Sequence, residues 1–419
     1  MNVPLRQSDT RQTLLVDLDT LLRTELRFEL FWAGMAKDWK GTLAAMRRGG
    51  REPRHIDVDT LPFDEAVLHR LHRAREDGWY VVLTGADRRL ALRIAAHLDL
   101  FDEIRGPGTL PATFGTDAIL QERTADPVTP GSYLMALRPH QWAKNLLCFV
   151  PLLAAQDFWP GTVLAACLAF LAFSLMASAV YCLNDLLDLA ADRAHPRKKF
   201  RPFASGAVPL RHGSWMAAGL FAGSAVLALL LGPGFLALLL AYAVLTTAYS
   251  LYIKREVVVD ICTLAGLYTL RIVAGAVATG IPMSVWLLAF SIFIFFSLAA
   301  VKRQAELVDL ANRNGLATAG RGYRADDLSI VSMIALSSGF VAVLVLALYL
   351  DSPEVLELYG NPAPLWGICG VLLFWVTRMV MKAHRGQMHD DPLVYAIRDG
   401  ASGLCLAAVI GFALGGVLT

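Results

Sequence analysis

Four polar residues follow a long apolar segment and could together hold a metal ion. Residues 163–180 are predominantly apolar, and Asn184, Asp185, Asp188 and Asp192 come next. At about 100° per residue, these four side chains fall within roughly a quarter-turn arc of one helical face. Clustered carboxylates repel one another unless a cation neutralises them, and oxygen ligands favour Mg²⁺, which takes further ligands from water and phosphates. The pattern predicts a magnesium pyrophosphate site, with a solvated helix end as the alternative.

Basic side chains follow these acids and occur again elsewhere in the chain. The segment 195–202 reads HPRKKFRP. The bases that we expect to bind phosphate are Lys144, Lys199, Arg201, Lys254 and Arg271. Ammonium and guanidinium groups form charge-assisted hydrogen bonds to phosphate oxygens. Any single one of these bases could instead reach lipid headgroups from a helix end.

The composition indicates a membrane protein with a soluble N-terminal part. Of 419 residues, 56% are hydrophobic and only 18% are charged, which is too apolar for a soluble enzyme. Residues 1–130 carry charge at an ordinary density, whereas apolar runs alternate with short polar loops after Trp142. We expect a soluble domain at 1–105, a linker rich in Pro, Gly and Thr at 106–136, and a transmembrane domain at 137–419.

Nine apolar runs beyond the linker set the expected topology. Most reach the ~17–25 residues needed to span a bilayer, although the first, near 145–156, is short and broken by Pro151. Lys and Arg are absent from the loops 157–160, 232–234, 280–283 and 351–363 and present in the alternating ones. Positive residues mark the cytoplasmic side. The first fifteen residues lack an apolar signal segment. We therefore expect a multi-pass membrane protein, with the N-terminal domain and every motif-bearing loop in the cytoplasm.

These motifs resemble the UbiA-type membrane prenyltransferase superfamily. The order N-D-x-x-D-x-x-x-D followed by H-P-x-K-x-x-R-P is similar to its first signature, which binds a magnesium diphosphate. RPHQWAKN at 138–145, KFRP at 199–202 and DDPLV at 390–394 resemble the branch of decaprenyl-phosphate phosphoribosyltransferase and its relatives. The resemblance runs from about Leu137 to the C-terminus. It implies an all-α membrane bundle of about nine transmembrane helices, here preceded by a small cytoplasmic α/β domain.

The resemblance implies a transferase that depends on Mg²⁺. It would move 5-phosphoribosyl from phosphoribosyl pyrophosphate to a polyprenyl phosphate and release pyrophosphate. Those substrates bring more phosphates than a prenyl diphosphate and a neutral acceptor, which suits the number of bases. The alternatives are prenyl transfer from a prenyl diphosphate to an aromatic or other acceptor, and a lipid-binding scaffold or transporter without chemistry. We expect membrane lipids but no nucleic acid as partners, and a homo-oligomer is compatible with the sequence.

The same resemblance implies roles for individual residues. Asp185, Asp188 and Asp260 would be catalytic, Asp185, Asp188 and Asp192 would bind metal, and Lys144, Asn184, Lys199, Arg201, Tyr249, Lys254 and Arg271 would bind substrate. Asp260 stands where a second motif, usually D-x-x-x-D, begins, but its fifth residue here is Leu264. This departure argues against a second diphosphate cage and thus against a prenyl donor. Arg271 could instead pair with Asp260, and Asp390 with Asp391 could close the site or form a solvated turn.

The N-terminal segment resembles the haloacid-dehalogenase (HAD) superfamily. Two apolar strands separated by helical segments predict a parallel sheet, whose sites lie at the carboxyl ends of strands. Asp17, Asp19 and Thr84 follow those strands in the positions of the family's nucleophile, general acid and phosphate-binding hydroxyl. No Lys occurs from residue 41 to 143, and Gly115-Thr116-Asp117 is only a faint substitute for the family's later acidic motif. We expect a truncated sheet without phosphatase activity that docks onto loops of the membrane domain or onto another copy.

Overall fold

A computed structural model describes most of the chain, as two compact units. The described residues are 12–47, 56–85, 87–106, 118–120, 128–312, 321–353, 355, 359, 361–388 and 391–418. The first unit comprises Met1–Arg138 with Tyr181–Gly219, and the second comprises Pro139–Val180 with Leu220–Thr419. The expected combination of a small α/β region with an all-α membrane region is confirmed.

A four-stranded parallel sheet forms the start of the first unit. Its strands are β1 (Thr13–Asp17), β2 (Tyr80–Thr84), β3 (Glu103–Arg105) and β4 (Ala118–Leu120), in the order β3-β2-β1-β4. Helices α1 (Leu26–Lys37), α2 (Trp39–Arg47), α3 (Glu65–Glu76) and α4 (Arg88–Leu98) alternate with the first strands. Alternate apolar residues of β1 and β2 are buried against α3 and α4, as a sheet covered by helices requires. In register, Asp17 of β1 faces Thr84 of β2 at the carboxyl edge.

Residues 106–136, predicted to be a linker, include two short regular elements. Strand β4 lies within that range and pairs with β1, with Leu14 opposite Ala118. Helix α5 (Pro130–Leu137) follows, begun by Thr129, whose hydroxyl accepts the Ser132 N–H at 3.3 Å. The free edge of β1 accounts for the extra strand, because an unpaired edge exposes backbone hydrogen-bonding groups.

Eight helices of the described chain are long and apolar enough to cross a membrane. They are α7 (Pro160–Leu187), α9 (Leu210–Leu230), α10 (Pro233–Leu251), α11 (Val259–Thr279), α12 (Val285–Asn312), α13 (Leu328–Leu350), α14 (Trp366–His384) and α16 (Gly400–Leu418); α6 (Val150–Ala155), α8 (Leu189–Ala194) and α15 (Pro392–Arg398) are short. The run expected near 145–156 forms part of a 3₁₀ segment, Pro139–Phe149, and then α6. These elements are too short to span a bilayer as one helix.

Small residues allow the helices of the second unit to pack closely. Gly339 of α13 faces Val376 of α14 and the Ser297 hydroxyl of α12 so closely that a Cβ would clash. Gly275 of α11 likewise lies against the carbonyl oxygen of Cys148. Helices in a bilayer associate through such close contacts, because lipid tails offer no hydrophobic driving force between helices. The packing fixes the buried faces of α11 and α12, which carry Asp260, Arg271 and Arg303.

Candidate active site

Acids and bases alternate around the end of α7 in the first unit. Asp185, in the last turn of α7, is buried and accepts hydrogen bonds from Arg138 Nη2 to both its oxygens, at 2.6 Å each. Arg201 Nη1 donates to Asp185 at 3.1 Å and to the buried Asp192 of α8 at 2.6 Å. The Arg201 guanidinium therefore bridges two carboxylates. Arg138, Asp185, Asp192 and Arg201 form what we call the acid–base cluster.

Arg138 belongs to this cluster although it was absent from the predicted site residues. It follows α5 in the left-handed conformation, with φ 52° and ψ 57°, and Pro139 then prevents continuation of the helix. Its guanidinium also lies over the ring of Tyr181, with 5.1 Å from Cζ to the ring centroid. A residue other than glycine keeps a positive φ only where its surroundings enforce it. The sequence carries a signal for Arg138, because this residue opens the segment RPHQWAKN, in which Lys144 is the predicted phosphate-binding residue.

The other predicted residues of this segment are more exposed than the acids of the cluster. Asp188 is exposed at the break between α7 and α8, and its N–H donates to the carbonyl of the half-buried Asn184 at 2.9 Å. Lys199 is exposed and its ammonium group lies over the neighbouring ring of Phe200. Lys198, which was not predicted, has its Nζ 4.0 Å from Asp192 Oδ1.

The three carboxylates predicted to bind metal differ in their exposure and in their partners. Within the described ranges, no three His, Cys, Asp or Glu side chains lie close enough to hold a metal ion together. Asp188 is exposed, whereas Asp185 and Asp192 are buried and share a guanidinium. The donor set nevertheless fits Mg²⁺, which proteins commonly bind through one or two carboxylates together with substrate phosphates and water. Asp185 and Asp192 are the two carboxylates suited to this role.

Asp260 lies in a buried polar network of the second unit. Its Oδ1 accepts the Tyr323 hydroxyl at 2.7 Å. Its Oδ2 is 2.8 Å from Arg303 Nε, an ionic contact in which the N–H does not point at the oxygen, and 3.5 Å from Arg321 Nη1. Burial and the hydrogen bond to Asp260 raise the pKa of Tyr323. Tyr249, predicted to bind substrate, belongs to the same network, because its hydroxyl accepts from Arg303 at 3.1 Å and Arg321 at 3.3 Å.

Asp391 is the centre of a second polar group in this unit. Its carboxylate accepts from Lys144 Nζ at 3.0 Å, Lys302 Nζ at 3.1 Å and the Tyr268 hydroxyl at 2.9 Å, and it caps α15 through the Leu393 N–H. Burial alone would raise the pKa of Asp391, but the charges and hydrogen bonds of the two lysines hold it well below its usual range. Asp391 is therefore a buried anion and not part of a solvated turn. Asp390 lies outside the described residues.

Arg271 occupies a third buried position on α11. Its guanidinium donates to Asn145 Oδ1 at 2.8 Å, to the Tyr242 hydroxyl at 3.0 Å and to the Leu267 carbonyl. Arg271 does not pair with Asp260. The two residues lie about three turns apart on α11, where Asp260 contacts Arg303 and Arg271 donates to Asn145. Lys254 is half-buried in the short 3₁₀ turn before α11.

The carboxyl edge of the N-terminal sheet brings the predicted HAD-like residues together. Thr84 Oγ1 lies 3.4 Å from Asp17 Oδ2, and the Asp19 N–H donates to Asp17 Oδ1 at 2.8 Å. Asp19 in turn accepts the Leu26 N–H at 3.1 Å, so this carboxylate caps the start of α1. The segment 115–117, considered for the later acidic motif, lies outside the described residues.

The family follows from the match of the membrane region to known sequences. Residues 145–391 match the model of the UbiA prenyltransferase family. The chain belongs to the UbiA prenyltransferase family. Nodulation protein NoeC of Azorhizobium caulinodans is 41% identical to this UbiA-family chain over 290 residues, which cover 68% of this chain and 92% of that protein. Decaprenyl-phosphate phosphoribosyltransferase of Mycobacterium tuberculosis is 40% identical over 187 residues, which cover 43% of this chain and 62% of that enzyme.

Solved structures support the same fold. A UbiA homolog from Archaeoglobus fulgidus bound to GPP and Mg²⁺ superimposes with a TM-score of 0.52 at 16% identity, covering 67% of this chain and 99% of that one. The same homolog bound to DMAPP and Mg²⁺ also gives a TM-score of 0.52. At this level of identity the likeness concerns the fold alone. The UbiA-type membrane fold expected from the motifs is confirmed, and the protein is a multi-pass membrane transferase of this family.

Proposed function

We propose that this UbiA-family protein transfers 5-phosphoribosyl from phosphoribosyl pyrophosphate to a polyprenyl phosphate, with release of pyrophosphate. The similarity to decaprenyl-phosphate phosphoribosyltransferase supports this donor and this class of acceptor over the matched 187 residues. The charges of the buried side chains support it independently. Mg²⁺ dependence is part of the proposal, with Asp185 and Asp192 as its carboxylates.

The observation that carries the proposal is an excess of buried or half-buried cations over carboxylates around Asp391 and Arg271 in the second unit. Lys144 and Lys302 share the single carboxylate of Asp391. Arg271 is buried, and its hydrogen-bond partners in the described chain are neutral oxygens. Buried charges are costly unless anions compensate them. A phosphoribosyl donor and a lipid phosphate together supply more anionic groups than a prenyl diphosphate and a neutral acceptor.

The neighbourhood of Asp260 argues in the same direction. Asp260 already contacts two arginines, Arg303 and Arg321. Leu264, at the fifth position of the expected D-x-x-x-D motif, lies in an apolar cluster with Ile261 and Ala299. A second pair of carboxylates for a metal diphosphate is therefore not built on this helix. We assign Asp260 the role of orienting Arg303 and Arg321, and Tyr249 the role of fixing the same two guanidinium groups.

The chemistry requires one bond to break and one to form. The bond between ribose C1 and the pyrophosphate oxygen breaks, and a phosphate oxygen of the lipid forms a new bond to C1. Asp185 and Asp192 would hold Mg²⁺ against the diphosphate, and the bound ion supplies neutralising charge for the leaving group. Arg138 and Arg201 keep both carboxylates oriented and add positive charge beside them. The acceptor is already an anion, so its attack needs no general base.

We place the reaction at the cytoplasmic face of a bacterial inner membrane. The loops that carry Lys and Arg alternate along the chain with loops that have neither. The positive loops include the segment with Lys198, Lys199 and Arg201. This segment reaches the acid–base cluster, because Lys198 and Arg201 both contact Asp192. Because positive loops stay in the cytoplasm, this cluster would meet soluble phosphorylated donors there.

The test is the mass of the product made by purified protein in detergent. The protein is incubated with Mg²⁺, phosphoribosyl pyrophosphate and mixed polyprenyl phosphates, and in parallel with a prenyl diphosphate and an aromatic acceptor. We expect a lipid product that is heavier than the acceptor by one phosphoribosyl group. One molecule of pyrophosphate should be released for each molecule of this product. Asp185→Asn should form no product, whereas the exposed control Asp351→Asn should match wild type. Product from the prenyl donor alone, or pyrophosphate release from neither donor, would overturn the proposal.

A further inference from the structure

Arg193 joins three segments of the first unit beside the acid–base cluster. Its Nε donates to the carbonyl oxygen of Ala204 at 3.0 Å. Its Nη1 and Nη2 donate to Glu29 Oε2 and Oε1 at 3.0 and 2.6 Å, a two-pronged ion pair. Arg193 therefore connects α8, the turn that follows Arg201, and helix α1 of the N-terminal α/β region.

The two segments that Arg193 ties together are those that carry the cluster. Asp192 directly precedes Arg193 in α8, and Ala204 lies three residues after Arg201. Arg201 bridges from that second segment to Asp192 at 2.6 Å. The bond from Arg193 to Ala204 thus fixes the separation between α8 and the turn, and with it the position of the bridging guanidinium.

Glu29 is the anion that allows Arg193 to be buried. The two side chains are only 4% and 9% exposed, respectively. The Thr24 hydroxyl also donates to Glu29, which orients the carboxylate from within the N-terminal region. A buried guanidinium that loses its carboxylate is left with an uncompensated charge, which strongly destabilises its position. Removal of the Glu29 charge should therefore displace Arg193 and loosen the contact between α8 and the turn.

We propose that Glu29 and Arg193 are positioning residues through which the N-terminal region sets the affinity of the acid–base cluster for the phosphorylated donor. This inference rests on the proposed function, because it takes phosphoribosyl pyrophosphate as the ligand of that cluster. It gives the N-terminal region a part in the transfer that requires no phosphatase activity. The ion pair acts through Asp192 and Arg201, and neither Glu29 nor Arg193 is required to touch the substrate.

The test compares steady-state kinetics of full-length variants in detergent. Glu29→Gln keeps the shape of the side chain and removes its charge. We expect it to raise the KM for phosphoribosyl pyrophosphate about tenfold, the change that corresponds to losing one charge-assisted hydrogen bond. The kcat and the KM for the lipid acceptor should stay within about twofold of wild type. Arg193→Gln should have a similar effect, and the double variant should be no worse than Arg193→Gln alone, because the two residues act as one unit.

A matched control is available in the same region. Glu25 pairs with Arg211 at 3.2 Å, and the arginine is 55% exposed, so this pair is open to solvent. Glu25→Gln removes an ion pair of similar sequence separation without touching Arg193 or the cluster, and it should leave the donor KM unchanged. An unchanged donor KM in Glu29→Gln, an equal rise in Glu25→Gln, or effects of Glu29→Gln and Arg193→Gln that multiply in the double variant would overturn the inference.

A second measurement separates this inference from the proposed function. Residues 197–199 are exposed and contain three basic side chains, so trypsin can cleave the loop there. We expect faster cleavage in Glu29→Gln than in wild type or Glu25→Gln, measured by the masses of the fragments. If wild type makes no product from phosphoribosyl pyrophosphate, the proposed function fails, while the cleavage rates still test the ion pair. Equal cleavage rates in all three proteins would overturn the inference whatever the substrate.

Discussion

Replacement of Asp391 by Asn should destabilise the second unit while leaving its packing intact. The substitution keeps the size of the side chain and an oxygen that can cap α15, but it removes the negative charge that Lys144 and Lys302 share. The Asp391 side chain is 8% exposed, and those of Lys144 and Lys302 are 11% and 27% exposed. Two cations would then remain close together without their anion.

The expected decrease in the free energy of unfolding follows from the burial of Asp391, Lys144 and Lys302. Breaking a buried ion pair by removing one partner costs about 3–5 kcal/mol. Lys302 is partly reached by water, and the cap and the bond to Tyr268 can persist, so we expect the lower end, about 3 kcal/mol. For a unit of this size that corresponds to a fall in Tm of roughly 6–12 °C.

Acidification provides a second readout with a defined sign. The pKa of Asp391 is lowered in the folded protein, so its carboxylate stabilises the fold above its ordinary value of 3.8. That contribution is lost as the pH falls from about 4 towards the lower pKa of the folded state. The difference in stability between wild type and Asp391→Asn should therefore be constant from about pH 5 to 8 and shrink below about pH 4.

The assay is thermal unfolding in detergent at several pH values. The exposed Asp351→Asn serves as a control and should change stability by no more than about 0.5 kcal/mol. A Tm of Asp391→Asn within about 2 °C of wild type at pH 7, or a difference that persists unchanged at pH 3, would refute the role of Asp391 as the anion shared by the two lysines.

Three further predictions concern catalysis. Asp185→Asn and Asp192→Asn should both lose turnover and lower Tm, because each carboxylate is buried against at least one arginine and is assigned to Mg²⁺; near-normal activity of either variant at low Mg²⁺ would contradict the metal role. Arg201→Ala should raise the KM for the donor more than Lys199→Ala does, because Arg201 belongs to the acid–base cluster and Lys199 does not. Equal effects would count against the assignment of the donor to this cluster. The full-length protein should show no Mg²⁺-dependent phosphatase activity, and an activity that is lost in Asp17→Asn would make it bifunctional.

Part of the fold was predictable because it depends on neighbours along the chain. The membrane helices follow from long apolar runs, and the parallel arrangement of β1 and β2 from strands that alternate with helices. The helix length in the segment 145–156 was not predictable in this way, since an apolar run does not show where a helix ends. There the left-handed Gln156 ends α6 after six residues. Strand β4 was missed because three residues in a loop-like segment become a strand only when an open sheet edge pairs with them.

The candidate site shows the same division. The acids and bases near the end of α7 were identified from their types and spacing, since these are properties of a short segment. Which acid meets which base was not predictable in this way. Arg201 bridges Asp185 and Asp192, although spacing had suggested that a metal would be shared with Asp188.

The sequence by itself determined the family, the membrane helices and the types of residue that could bind a magnesium diphosphate. Only the tertiary structure decided that Arg138 holds Asp185, that Lys144 and Lys302 share Asp391, and that Glu29 neutralises Arg193. The Glu29–Arg193 pair joins residues 164 positions apart. Periodicity and spacing report only on side chains within a few helical turns, whereas the choice of a buried ion-pair partner depends on which desolvated charges the folded chain brings within hydrogen-bonding distance.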